Sequence, residues 1–487
     1  TRFLSPADYG AAEVMFAAVV AISIVIRLGV VEALLRFYYK TDEVPAKVVA
    51  TSFSALFWAG TVSAIALMPF AAQISDLLLG ETETGLARIA IAGLWVLTLS
   101  EYLLTIFRLD ERAKAFFTVT MLSVILTIPT TLVLVVGFDL GAEGLLLGSY
   151  ATGAVIVCGL IVYHRKRLSL VPDVPLLKRM MRFGLPTMPA ELSLYSLSFI
   201  DRIIIARSLG LAEAGLYSLA IKVAQSVNVL VRGFQLAFPP LAYSIRDDDE
   251  AARAYSAVVT WFVVIMSFVI TGIWLTAPWI IRIFAAPEYF GAVDAVGPVA
   301  AGTALYALYM VLLVVLGRTG RTEFNFPATL AGVGSNIGLN LLLVPVWGIV
   351  GAAVSLVASY MVVLVLMYAF TQRLFPVAYE WGRLLKVIGS TAVLIAIGEV
   401  FVPDDGIAWL AVRLLLIAAL PVALHITGFF SPEEQRYVKM IARPKELARK
   451  IQEARVQEKA DTEQEGVRAQ GLSEVYEVEQ MNEDMRN

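Results

Sequence analysis

The sequence predicts an all-α polytopic membrane protein made of two related halves, and three observations carry that prediction. First, 59% of its 487 residues are hydrophobic and only 16% are charged, with a mean hydropathy of +0.76. That is too apolar for a soluble domain. Second, long apolar runs recur, each able to cross a hydrocarbon core of about 30 Å, and their Pro and Gly breaks do not follow the short alternation of barrel strands. Third, the chain repeats itself. Residues 1–10, Thr1 to Gly10, reappear 205 positions later as Ala206–Gly215, and at the same offset Arg27 falls on Arg232 and Tyr38 on Tyr243.

Spans are expected at 9–36, 48–72, 85–107, 115–137, 141–163, 184–206, 213–243, 255–284, 292–316, 324–346, 348–371, 384–402 and 407–428. The repeat leaves the helix at 184–206 without a counterpart ahead of Thr1, so thirteen spans are expected here and fourteen with a first span restored upstream. A second echo, Gly141-Ala-Glu-Gly144 against Gly348-Ile-Val-Gly351, lies at an offset of 207. The expected organisation is a first lobe over 1–163, a basic linker over 164–183, a second lobe over 184–372, an added transmembrane hairpin over 373–430 and a charged tail over 431–487. In the linker, Leu176, Leu177, Met180 and Met181 alternate with Lys178, Arg179 and Arg182, a pattern suited to the membrane interface. Within the tail, 444–459 has helical propensity, whereas 460–487 reads as disordered.

Basic residues crowd one set of alternating loops, with Arg108, Arg112, Arg165, Lys166, Arg318 and Arg321 among them, while Asp76, Glu81, Asp139, Glu288 and Asp404 mark the other. The positive-inside rule makes the basic set and the tail cytoplasmic. The net charge of −3 conceals this asymmetry and carries no message about nucleic acid. Cys158, the single cysteine, is expected to pack inside its span.

Ionisable residues within spans are costly, so each asks for a reason. Arg27 and Arg232 sit deep in their helices at repeat-related positions, where they snorkel to the cytoplasmic headgroups, pair with a carboxylate such as Glu32, or face a polar lumen. Lys222 lies near the bilayer middle, about 15 Å into its span at 1.5 Å per residue. Lys222, Gln225, Asn228, Arg232 and Gln235 form one polar stripe, the pattern of a lumen-facing cationic surface. Asp201 and Arg202 suggest a helix lock, a gate or an ion-coupling site. Glu13, Glu101 and Glu191 are candidate counter-charges or proton carriers. Asn336, Asn340 and Pro345 read as packing and kink residues. Neither His164 nor His425 has ligand-like neighbours in sequence, and there is no P-loop, nucleotide-binding glycine pattern or metal cluster. Catalytic residues, an enzyme activity and a cofactor are therefore not expected.

These motifs resemble the polysaccharide transporter, or O-antigen flippase, branch of the multidrug/oligosaccharidyl-lipid/polysaccharide exporter superfamily. The resemblance rests on Arg2-Phe-Leu-Ser-Pro-Ala-Asp-Tyr-Gly10, on Gly184-Leu-Pro-Thr-Met-Pro189 leading to Asp201-Arg202, on Gly210 to Ala220, and on Asn340 to Ala353. It covers residues 1 to about 428. It implies two six-helix lobes in a V, followed by two extra helices, that move a lipid-linked oligosaccharide across the inner membrane by alternating access. An undecaprenyl-pyrophosphate type carrier would meet Arg27, Lys222 and Arg232, with its acyl chain left in lipid beside a gap between lobes. Membrane lipids, a coupling H+ or Na+ and polysaccharide assembly proteins are the implied partners. A multidrug exporter of the same fold would favour a lumen rich in carboxylates. A lipid-linked peptidoglycan precursor flippase differs mainly in substrate, and a scaffold of an assembly complex would act through the tail.

Overall fold

The computed structural model describes residues 2–40, 43–432 and 434–435, and among them every regular element is helical. The expected tail segments 444–459 and 460–487 lie outside the described residues. Helix α1 (Pro6–Arg27) opens where Ser5 accepts the Asp8 amide at 3.1 Å and donates its hydroxyl to the Asp8 carboxylate at 2.7 Å. Pro6 suits the first turn because its missing N–H would have no helical partner. There follow α2 (Val30–Lys40), α3 (Pro45–Leu67), α4 (Ala71–Leu79), α5 (Thr84–Leu109), α6 (Ala113–Leu132), α7 (Gly141–His164), α8 (Val174–Gly184) and α9 (Met188–Leu209). The second half continues with α10 (Leu211–Ala224), α11 (Asn228–Ser244), α12 (Asp248–Phe284), α13 (Val293–Arg318), α14 (Asn325–Leu374), α15 (Trp381–Phe401), α16 (Ile407–Ala418) and α17 (Leu420–Ile426).

Ten of the helical runs among the described residues are long and apolar enough to cross a membrane, so the chain is a multi-pass membrane protein. Two more of the expected spans are explained by local chemistry. Helix α9 has 22 residues but carries Glu191, Asp201, Arg202 and Arg207, which lower its hydropathy. Helix α14 is two helices in one run, broken at Gly348, whose φ of 61° and ψ of −142° no helix accommodates. Gly141, its counterpart in the second sequence echo, also has a positive φ, at 49°. The expected span 407–428 falls on two shorter helices, α16 and α17, parted at Ala419, rather than on one continuous helix. The chain divides into two compact units, 1–420 and 421–487. In the second unit, Ser431 and Glu434 each donate a backbone N–H to the other's side chain, at 2.8 and 3.2 Å.

Helix α1 is buried along most of its length because Gly10, Ala11, Ala12, Ala17, Ala18 and Ala21 let neighbouring backbones approach. The closest approach is to α10. A Cβ added to Gly10 would lie 2.0 Å from the Leu211 carbonyl oxygen, and one added to Gly215 would lie 2.0 Å from that of Pro6. Gly10 and Gly215, like Pro6 and Leu211, are repeat partners at the offset of 205. The crossing is therefore a local twofold contact of backbone on backbone. Near the repeat-related pair Tyr38 and Tyr243, the neighbouring Tyr39 donates to the Leu109 carbonyl at 3.0 Å and Tyr243 itself to that of Val314, 205 positions after Leu109, at 3.4 Å.

Three expectations are corrected here. The span 9–36 is not one helix, since α1 stops at Arg27, with Leu28 and Gly29 at φ values of 49° and 68°. Gly29 is pressed onto Gly184, where an added Cβ would meet the Gly184 oxygen at 2.0 Å. The span 213–243 breaks at a tighter turn over Gln225–Val227. The first break falls after Arg27 and the second before Arg232, so the two arginines lie on opposite sides of their breaks. Arg27 is 5% exposed, whereas Arg232 is exposed. Cys158 also faces outward rather than into the packing.

Helix α8 buries Leu176 and Met180 and exposes Lys178, Arg179 and Arg182. Asp173 caps it by accepting the Leu176 amide at 2.8 Å and is bridged to Lys47 at 2.8 Å. Arg179 pairs with Glu43. The Lys47 contact first, and the Leu176 amide second, hold the Asp173 carboxyl below its usual range. This anchor is therefore intact above the ordinary carboxylate range and is lost as pH falls through the lowered value.

Gly10→Ala forces a methyl onto backbone that cannot rotate away, and is expected to lose about 1–3 kcal/mol or fail to fold. Gly272→Ala, at a helical position with open space, should be neutral or gain about 0.5–1 kcal/mol. Thermal unfolding of both variants in detergent checks the contrast.

Candidate functional site

The α1–α10 crossing sets one group of charges. Glu13 lies one turn below Gly10 on α1, and its side chain is 6% exposed. One carboxylate oxygen accepts the Lys222 ammonium at 2.5 Å, and the other lies 3.7 Å from the Arg202 guanidinium of α9. Lys222 Nζ also stands 5.0 Å above the Tyr9 ring, within range of a cation–π attraction. Its side chain remains about half exposed, at 51%. Glu13 thus ties α1 to both α9 and α10.

A second group forms at the other end of α1. Arg27, its last residue, is well placed for the negative end of the helix dipole. It bridges Glu101 of α5 at 2.7 Å and Glu191 of α9 at 3.0 Å, and donates Nε to the Ser23 carbonyl at 3.3 Å. The glutamate side chains are 44% and 37% exposed, the arginine 6%. The partners of Arg27 are therefore Glu101 and Glu191 rather than Glu32.

Asp201 and Arg202 are adjacent in sequence but turn to different faces of α9. Arg202 reaches Glu13, whereas Asp201 is buried in the second half, where it accepts the Tyr217 hydroxyl at 2.8 Å and the Asn340 amide at 2.9 Å. Asn340 also donates to the Asn336 carbonyl at 2.8 Å. The asparagines read from sequence as packing residues thus include one that holds a buried carboxylate. The amide of Asn336 is itself buried without a hydrogen-bond partner in the described residues.

Gln225 and Asn228 line a cavity of about 160 Å³ with Asp201, Thr303, Tyr306 and Tyr360. Arg232 is exposed and makes no ion pair among the described residues. The last three cavity residues escaped the sequence reading, because aromatic and hydroxyl side chains inside apolar helices give no charge signal.

Of the two cations in the stripe, Lys222 is compensated and Arg232 is not, and the other deep cations, Arg27 and Arg202, are also paired. Arg27, Arg202 and Lys222 face Glu13, Glu101 and Glu191, a balance of three against three. Desolvation explains it, since a buried cation without a partner costs several kcal/mol. Glu101, Glu191 and the Lys222 head stay accessible, so the pairs can exchange partners with an anionic ligand. Among the described residues no group of three or more His, Cys, Asp and Glu side chains is gathered to hold a metal.

Three comparisons bear on this arrangement. A family model described as "Polysaccharide biosynthesis protein" matches residues 1–294. A comparison with curated proteins gave no match. Among solved structures, the chain resembles the lipid II flippase MurJ, inward closed, with a TM-score of 0.66 at 14% identity, covering 88% of this chain and 93% of that one. It also resembles an inward-facing multidrug resistance MATE family transporter of the MOP superfamily, with a TM-score of 0.65 at 17% identity, covering 76% and 90%. A third similar structure is a MOP superfamily transporter from Pyrococcus furiosus noted for a binding pocket of reversed polarity, with a TM-score of 0.55 at 17% identity, covering 75% and 87%. At these identities the likeness establishes the fold.

Glu13→Gln removes the one carboxylate shared by Arg202 and Lys222. It is expected to cost about 3 kcal/mol, because the Arg202 charge is left buried and unpaired. Adding Lys222→Gln should cost less on that background than in the wild type, with a coupling of about 0.5–3 kcal/mol. A double-mutant cycle on thermal stability measures it.

Proposed function

From a chain that belongs to the polysaccharide biosynthesis protein family and has the fold of MOP superfamily transporters, we propose a flippase for an anionic lipid-linked oligosaccharide. The substrate is of the polyprenyl-pyrophosphate type and crosses the inner membrane by alternating access during cell-surface polysaccharide synthesis, without catalytic chemistry. The basic loops and the C-terminus face the cytoplasm, as the positive-inside pattern predicts.

The observation that carries this reading is the pair of accessible cations on α10 and α11. Lys222 is half exposed while paired, and Arg232 is exposed with no ion pair among the described residues. A phosphate entering there gains charge-assisted hydrogen bonds, which run stronger than neutral ones. Arg232 meets it first. Arg27 and Lys222 then exchange glutamate partners for phosphate oxygens, and Glu13, Glu101 and Glu191 are released to take up protons or a coupling cation. Because Glu13 joins α1 to α9 and α10, its release loosens the contact that holds those helices together. Arg202 is the gating residue in this scheme, and Asp201 stays inside its own half. A cationic drug would find these glutamates already neutralised by arginine and lysine, which favours the anionic lipid-linked substrate over multidrug export. Lipid-linked peptidoglycan precursors share the same phosphate chemistry and are separated from oligosaccharide carriers by assay.

In proteoliposomes loaded with a fluorescent polyprenyl-pyrophosphate oligosaccharide, the wild type should move the lipid between leaflets. Arg232→Ala should slow it about 10- to 100-fold, the worth of a charged hydrogen bond of roughly 1.5–3 kcal/mol, with thermal stability unchanged. Equal rates for the variant and wild type would remove the phosphate role of Arg232. Movement of a cationic dye instead of the lipid would overturn the flippase reading.

A further inference from the structure

The small cavity in the second half has a chemistry unlike that of the charged crossing. It lies among α9, α10, the turn into α11, α13 and the later part of α14, and its polar lining is Asp201, Gln225, Asn228, Thr303, Tyr306 and Tyr360. Its volume of about 160 Å³ is below the roughly 300–1,000 Å³ of sites for drug-sized ligands. We propose that this cavity is a subsite for one uncharged sugar ring of the transported glycan, an inference that rests on the flippase reading above.

Each wall matches a feature of a pyranose. Asp201 accepts hydrogen bonds from Tyr217 and Asn340, and the Asn336 amide also lies beside it. A carboxylate offers about four lone-pair sites, so acceptor capacity remains for sugar hydroxyls. The side-chain amides of Gln225 and Asn228 make no hydrogen bond among the described residues, and each brings both a donor and an acceptor. Thr303 donates to the Val299 carbonyl at 2.9 Å, which leaves its oxygen to accept. Tyr306 and Tyr360 meet at 5.7 Å with their rings tilted by 54°, giving two apolar planes for the C–H face of a ring.

The same features exclude other occupants. A phosphate or an acidic sugar would be repelled by Asp201, and an acyl chain would strand the amides and the carboxylate unpaired. The mouth opens beside Gln225, which is exposed. Four residues further along the chain from Asn228, Arg232 is in position for the phosphate while the ring is held. The subsite therefore reads a neutral sugar of the glycan, and the cations read its carrier.

Saturation-transfer NMR on the full chain in detergent, with free glucose, galactose, N-acetylglucosamine and glucuronate as probes, tests this directly. At least one neutral sugar should give a signal, with glucuronate weaker. Asn228→Leu and Tyr306→Leu should each weaken its apparent affinity about tenfold, while replacing sodium by choline should change nothing. Gln225→Leu, at the exposed position of the lining, serves if the variants at the half-buried Asn228 and Tyr306 unfold. The inference is overturned if no neutral sugar gives a signal dependent on these residues, or if sodium displaces the sugar and marks a cation site at Asp201. Sugar binding with no lipid movement in proteoliposomes would instead defeat the flippase reading and leave the subsite standing.

Discussion

The structure depends on the close crossing of α1 and α10. Two glycines from the two copies of the repeat, Gly10 and Gly215, press onto carbonyls that are themselves repeat partners. A side chain at either position would push the helices apart. In a membrane, where apolar side chains gain little by leaving lipid, helices associate through such close backbone packing and through polar contacts. The crossing brings Glu13 within reach of Lys222 and Arg202, so packing and electrostatics meet within one helical turn. Glu13, Lys222 and Arg202 take their positions beside that contact.

Charge balance follows from it and shapes what the site can do. A row of bare cations inside a membrane would cost far more than the fold can supply. The chain instead keeps Arg27, Arg202 and Lys222 ready beside glutamates and leaves Arg232 exposed. In the mechanism proposed above, an anionic ligand competes for partners already in place, so binding and the loosening of interhelical pairs are one event. This links recognition to movement without a metal or a cofactor in the scheme. The ligand's differential affinity for the paired and released arrangements is what can shift the equilibrium between them.

Much of this was legible in the sequence. Hydropathy and the repeat gave the helical membrane fold, and the cost of charge in lipid singled out Glu13, Arg27, Glu101, Glu191, Lys222 and Arg202 before their partners were known. Which acid meets which base was not legible, because Arg27 and Glu191 lie far apart in sequence and meet only through helix packing. The helix breaks were missed because neither carries a proline and each lies inside a longer apolar stretch. Leu28 adopts a left-handed conformation that its type does not advertise, and the turn at Gln225–Val227 has no proline or glycine. Those breaks are why Arg27 and Arg232, equivalent in the repeat, ended in unlike surroundings. The aromatic cavity wall was invisible because Tyr306 and Tyr360 read as ordinary core residues.

The most direct measurement is a cryo-electron microscopy structure of the protein in lipid nanodiscs with a polyprenyl-pyrophosphate oligosaccharide bound. The account predicts phosphate density between Lys222 and Arg232, with the Glu13–Lys222 pair opened. Phosphate density elsewhere, with that pair closed as it is here, would contradict it.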